Sequence, residues 1–229
     1  MQKLLIAAIA VAVTAAASSA GSTGAASLYT GFNAHVDNPW FPLLPGTRYL
    51  YRGVKDGLAS RDVVTVTHRV RSIDGAPCIT VHDRLYLRGR LRERTTDWYS
   101  QDSRGNVWYF GEQTAELDTH GRVTSTEGTW TAGIDGARPG IYIPANPQVG
   151  QSGRQEFYKG HADDHFKVIG RFSTLGGGRH SANAVLTEEW TPLEPGTLDH
   201  KLYVRGIGTV LEHTERGGDE HAELIAVTR

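Results

Sequence analysis

The sequence predicts an all-β, mainly antiparallel protein: one large curved sheet, a β-barrel or half-barrel, with a long ordered crossover loop. Three observations carry this. Long stripes of apolar residues with the 3.6-residue period of an amphipathic helix are absent. Short β-branched or aromatic runs alternate with polar residues instead. The 27 glycines of the 229-residue chain fall between those runs as D-G, G-N, G-G and P-G turn signals.

In chain order, strands are expected at 48–52, 62–70, 78–87, 91–101, 107–110 and 153–158, then at 166–172, 184–190, 200–204, 209–214 and 222–228. Lys55-Asp56-Gly57, Ile73-Asp74-Gly75 and Ser103-Arg104-Gly105-Asn106 are hairpin turns, because Asp, Asn and Gly tolerate the backbone that tight turns require. The run from Leu91 places Glu93, Thr95, Asp97, Tyr99 and Gln101 on one face and Arg92, Arg94, Thr96, Trp98 and Ser100 on the other. Neither face is plainly hydrophobic. Such strands suit a sheet whose concave side is partly polar, as in barrels that enclose a cavity. The alternative is a solvated outer face with scattered aromatics. Residues 127–151 carry few regular signals but contain Trp130, Ile134, Ile141, Tyr142 and Ile143, which gives an ordered crossover apolar groups to bury. Trp40 and Phe41, between Pro39 and Pro42, form an N-terminal plug over the core.

Residues 1–20 have the layout of a signal peptide: Lys3, an apolar run from Leu4 to Val13, and small residues ending in Ser18, Ser19 and Ala20. The apolar part is about ten residues, well short of the ~20 that cross a bilayer, so no transmembrane segment is expected after cleavage. Residues 21–27 read as a flexible leader and 28–229 as a single β-barrel-like domain. The expected location is secreted, either extracellular or periplasmic.

Twenty-four Lys and Arg against 25 Asp and Glu leave a net charge of −1, with no basic surplus for nucleic acid. A single cysteine rules out a disulfide framework and a Cys-based zinc site. Cys78 sits in mid-strand and is expected to be a buried, inert thiol.

Three constellations bear on chemistry. His161, Asp163, Asp164 and His165 are the densest set of metal-ligand types, and a helix there would bring His161 and His165 to one face. The set lacks the Glu of a zinc-protease helix, suits calcium no worse than zinc, and equally suits a solvated turn; no cofactor is otherwise implied. Glu93, Asp97, Glu156 and Glu188, with Glu127, are candidate acids and bases for glycoside hydrolysis, beside Trp98, Trp108, Trp130 and Trp190 as sugar platforms. Pairing of Arg154 with Glu93 or Glu188 explains those carboxylates structurally. Tyr99, Trp108, Tyr109, Arg154, Tyr158 and Trp190 are candidates for lining a ligand pocket. No G-x-S-x-G elbow is present.

The stretches Asn38-Pro39-Trp40-Phe41-Pro42-Leu43 through Pro45-Gly46-Thr47-Arg48-Tyr49-Leu50-Tyr51, and Tyr203-Val204-Arg205-Gly206-Ile207-Gly208-Thr209-Val210-Leu211-Glu212, resemble the opening strand and closing hairpin of exported bacterial β-sheet proteins similar to the TapB type. With the blocks 97–102, 106–112 and 155–158, the chain resembles a family of secreted bacterial proteins of unassigned function. That resemblance implies export and a curved antiparallel sheet akin to half-barrel lipoprotein carriers, and supplies no catalytic residues. The expected function is an exported, non-catalytic protein that binds an apolar or amphipathic small ligand in its curved sheet. The alternatives are a secreted hydrolase, using strand carboxylates or a His/Asp-bound metal, and a cell-envelope interaction module.

Overall fold

The computed structural model describes residues 28–175 and 181–229; the expected signal peptide and leader, 1–27, lie outside the described residues. Among the described residues there is no helix, and fifteen strands join into one sheet. Strands β1 (Arg48–Lys55), β2 (Leu58–Ile73), β3 (Ala76–Leu87), β4 (Arg90–Gln101) and β5 (Val107–Leu117) form an antiparallel meander. Short strands β6 (Val123–Ser125), β7 (Trp130–Thr131) and β8 (Arg138–Ile143) all pair with β5. After β9 (Ser152–Arg154) and β10 (Glu156–Phe157) comes a second meander of β11 (His165–Leu175), β12 (Ser181–Trp190), β13 (Leu198–Val204), β14 (Gly208–Arg216) and β15 (His221–Thr228). Strand β15 pairs with β1, so the order across the sheet is β10-β8-β5-β4-β3-β2-β1-β15-β14-β13-β12-β11-β9.

The chain itself joins the two ends of this sheet into a nearly closed barrel. Strand β9 pairs with β11 at one edge, β10 pairs with β8 at the other, and Gln155 is the single residue between them. Its backbone N–H donates to the Asp164 carbonyl at 2.7 Å and its side-chain amide to the Tyr142 carbonyl at 3.1 Å. Gly140 lies so close to the seam that a Cβ there would stand 2.2 Å from the Arg154 carbonyl oxygen. The run 153–158, expected as one strand, is thus two short strands on opposite edges, because closure requires the chain to change edges there. The expected crossover 127–151 likewise contributes strands β7 and β8, and its Trp130 and Ile143 are buried whereas Ile134 is exposed.

The hairpin turns form where the sequence places them. Asp56-Gly57 and Asp74-Gly75 both hold two residues at positive φ, which matches the twist of the flanking strands. Arg88-Gly89 makes a further turn of this kind.

The segment before β1 closes one end of the barrel. Val36, Trp40 and Leu43 are buried there. The Asn38 amide donates to the carbonyls of Gly105 at 2.8 Å and Pro144 at 3.3 Å, while its oxygen accepts from the Trp40 N–H at 2.8 Å. From the other side of the barrel Gly206 donates to the Pro39 carbonyl at 2.6 Å. Guanidinium groups of Arg171 and Arg205 lie over the Trp40 ring. Cys78 is fully buried, and burial pushes its thiol up to about 12, as expected of an inert cysteine.

Candidate functional site: a carboxyl-lined cavity inside the barrel

Beneath the plug lies a cavity of about 120 Å³. Its residues arrive by strand register. Directly paired residues share a face of the sheet, so Tyr51 opposite Asp62 on β2, and Val81 of β3 opposite Asp97 on β4, all point inward. Asp83 lies two residues along from Val81 and shares its face. Across the barrel, Lys201 on β13 stands opposite Glu212 on β14, and Glu212 opposite Ala222 on β15. All of these residues line the cavity.

Rings form a box over one side. Phe41 of the plug sits 5.3 Å from Tyr99 and 4.6 Å from Tyr142, and Tyr99 is 5.2 Å from Tyr142 and stacked on Tyr109 at 4.8 Å. Tyr51 donates to the Thr209 carbonyl at 3.0 Å and Tyr49 to the Pro42 carbonyl at 2.6 Å, which fixes both rings as walls.

The charges divide the cavity into two walls. On one, Lys201 Nζ lies 3.0 Å from Glu189 and 3.4 Å from Glu212. Glu189 also accepts from Tyr203 at 3.0 Å and Thr187 at 2.9 Å. Burial disfavours the Lys201 ammonium, yet the two carboxylates hold its pKa well above the usual lysine value, so the cation is retained and already paired.

On the opposite wall Asp62, Asp83 and Asp97 make no ion pair among the described residues, and Arg84 acts on Asp97 only from a distance. Asp62 and Asp83 are in hydrogen-bonding contact, and burial together with the Asp62 charge raises the Asp83 carboxyl well above the ordinary range. Asp62 Oδ1 is buried and accepts no hydrogen bond from a protein N–H or hydroxyl. Burial pushes Asp97 up to about 7, although the Tyr109 hydroxyl donates to it at 2.7 Å and opposes that rise. Behind it, burial and the Asp97 charge lift Glu112 to about 9, and burial and the Asp164 charge lift Glu156 to about 8. Around neutral pH the raised carboxyls of this wall keep protons that exposed carboxyls would have lost.

The expected site residues are dispersed. Asp97 and Tyr99 line the cavity, Tyr109 backs it, Glu93 lies on the same face further along β4, and Glu156 is buried near the seam. Glu188 points the other way, toward His200 at 3.8 Å. Trp108 is on the outer face, donating to Asp102 at 3.0 Å and packed on Phe32. Arg154 pairs with Asp163 at 2.8 Å and stacks over Phe157, so the expected pairing with Glu93 or Glu188 is replaced by a local one. Tyr158 stacks on His161 and Trp190 on His165, both away from the cavity. The tryptophans do not converge: Trp98 lies under Arg71 and Trp130 packs edge-on against Tyr109.

The His161–His165 set also separates. No helix forms, so the two histidines do not share a helical face. His161 reaches Glu127 at 3.6 Å, His165 reaches Asp163 at 2.9 Å, and Asp164 is electrostatically coupled to Lys201 and Glu189. Among the described residues, no group of three or more His, Cys, Asp or Glu is arranged to hold a metal.

Asp62, Asp83, Lys201, Glu212, Phe41 and Tyr142 were not among the expected site residues. Their signal is positional: each is one member of an alternating strand or of the plug, and only cross-strand register brings them together.

No family model matches the chain, and no curated protein does. Among solved structures, the chain is similar to a Bacteroides fragilis protein provisionally described as exported, with a YmcC-like fold. The identity is 15%, the match covers 83% of this chain and 99% of that one, and the TM-score is 0.46. It is also similar to a Parabacteroides distasonis protein provisionally described as a lipoprotein, at 10% identity, covering 82% of this chain and 98% of that one, with a TM-score of 0.41.

Proposed function

We propose that the protein is an exported, non-catalytic binding protein whose barrel holds a small amphipathic amine. The observation that carries this is the pairing of an aromatic box with buried acids that make no ion pair: Phe41, Tyr99 and Tyr142 beside Asp62, Asp83 and Asp97. Aromatic faces and carboxylates attract the same guest, an ammonium group, through the ring quadrupole and direct charge. Pro42, Leu43, Val64 and Val81 supply apolar contact for the rest of the molecule. A volume of about 120 Å³ suits a guest of a few carbon atoms rather than a lipid chain. Support for export comes from the layout of residues 1–20.

Calorimetric titration with n-butylamine and n-butanol at pH 8 tests this. Saturable binding of the amine, weakened about tenfold or more in Asp62→Asn and Asp83→Asn, is the expected result. Equal binding of the alcohol, or no binding of either, refutes the proposal.

The Asp62–Asp83 contact favours one second reading, a hydrolase in which the two touching carboxyls act as acid and base on a water. Turnover of ester or peptide substrates that disappears in Asp83→Asn, while amine binding persists, would establish it instead.

A further inference from the structure

On β1–β4 the carboxylates keep to one face, which Lys55 shares, and five arginines stand on the other. Every carboxylate of these strands, Asp62, Asp83, Glu93 and Asp97, faces the interior, while Arg52, Arg61, Arg71, Arg84 and Arg94 face outward. Two pairs of these arginines stand directly opposite one another in the ladder, Arg52 with Arg61 and Arg84 with Arg94. Directly opposed like charges destabilise a sheet. None of the five ion-pairs with a carboxylate among the described residues; Arg61 and Arg71 instead stack on Tyr86 and Trp98.

The Arg84–Arg94 pair forms part of a groove of about 500 Å³, bounded by Thr96, Gln113 and, from the loop before β7, Thr126. Arg84 is held in place by neutral acceptors: its guanidinium donates to the carbonyls of Asp83 and Thr95 and to His82 Nδ1 at 2.9 Å. A guanidinium has only donors, so His82 Nδ1 is the acceptor, the ring is neutral, and its Nε2 carries the proton. Arg94 is exposed and has no hydrogen-bond or ion-pair partner among the described residues. Burial, then the charge of Arg84 and lastly that of Arg69, hold the His82 imidazole below its usual pKa. Guanidinium groups match phosphate oxygens in planar two-point contacts, and the hydroxyl and amide groups of Thr96, Thr126 and Gln113 suit neighbouring alcohols.

We propose that this outer groove is a second binding site, for a phosphorylated polyol, with Arg84 and Arg94 on the phosphate. It is independent of the amine cavity, which lies on the opposite face of the same strands.

The chemistry is shared by a free polyol phosphate and by the glycerol-phosphate headgroup of phosphatidylglycerol. NMR titration of the mature protein with glycerol 3-phosphate, following Arg Nε–H and His82 ring signals, is the test. Saturable shifts at Arg84 and Arg94, a rise in the His82 pKa, and an affinity about tenfold lower in Arg94→Gln are expected. Arg94 has no structural partner, so that variant keeps the fold; Arg84→Gln is the companion variant, checked for retained dispersion. Flotation with phosphatidylglycerol vesicles against phosphatidylcholine vesicles separates the sources. Binding to the anionic vesicles that glycerol 3-phosphate competes away assigns the site to a lipid headgroup, and binding of glycerol 3-phosphate alone assigns it to a soluble phosphate. Absence of saturable shifts at about 10 mM, or equal shifts in Arg94→Gln, overturns the proposal.

Discussion

Asp62 and Asp83 lie diagonally across the β2–β3 ladder with their carboxyls in contact, and Asp97 and Glu93, also acidic, raise Asp83 further. Two touching carboxyls cannot both ionise at low cost, so the pair holds a proton well above the ordinary carboxylate range. In the proposed function, that proton is what an ammonium guest displaces.

Stability is predicted to fall from pH 5 to pH 9. Asp97, Glu156 and Glu112 are held at about 7, 8 and 9, above the ordinary carboxylate range. Between that range and those values the folded chain binds more protons than the unfolded chain, so the stabilisation is complete at low pH and is lost as pH rises through 7 to 9. Urea unfolding at pH 5, 7 and 9 measures this; a midpoint that is flat or rises with pH contradicts it.

Tyr109→Phe keeps the ring stacked on Tyr99 and removes the hydroxyl that donates to Asp97. A loss of about 1–2 kcal/mol is expected, with Asp97 titrating higher still, because the removed bond favours its ionised form. Chemical denaturation gives the first quantity and carbon-detected NMR of the Asp97 carboxyl the second. A downward shift would show that the bond does not act on the ionised form.

Lys201→Met leaves Glu189 and Glu212 without their cation and should cost about 3–5 kcal/mol. Pairing it with Glu212→Gln should recover part of that loss, since one of the two stranded charges is then removed. Additive losses in the double variant would show that the three groups do not act as a unit.

Asn38→Ala removes the amide that ties the plug to Gly105 and Pro144. About 2 kcal/mol of stability should go with it, and hydrogen exchange at Trp40 and Leu43 should quicken while that of β3 and β4 is unchanged. Uniform acceleration across the sheet would mean that the plug and barrel unfold together.

The strands and their turns were legible because alternation and Asp-Gly dipeptides are local signals. Most of the site was not. Arg88-Gly89 pairs Leu87 with Arg90, and continued without interruption that register would set Asp83 opposite Arg94. A bulge between Leu85 and Tyr86 shifts it by one residue, so that Leu85 meets Glu93 and Arg84 meets Arg94. One inserted residue thereby turns Glu93 and Asp97 inward and Arg94 outward. Alternation on β4 shows that acids and arginines occupy opposite faces, but only the bulge decides which face is interior. Expected pocket residues such as Trp108 and Trp190 are aromatic for other reasons, packing against Phe32 and His165.

The most direct test of the cavity's role is the proton count on binding. Calorimetric titration of the protein with n-butylamine at pH 6, in two buffers of different ionisation enthalpy, measures protons released per amine bound. Exchange of a carboxyl proton for an ammonium predicts release of about one proton, lost in Asp83→Asn. Binding without proton release, or no binding at all, would contradict the cavity as an ammonium site.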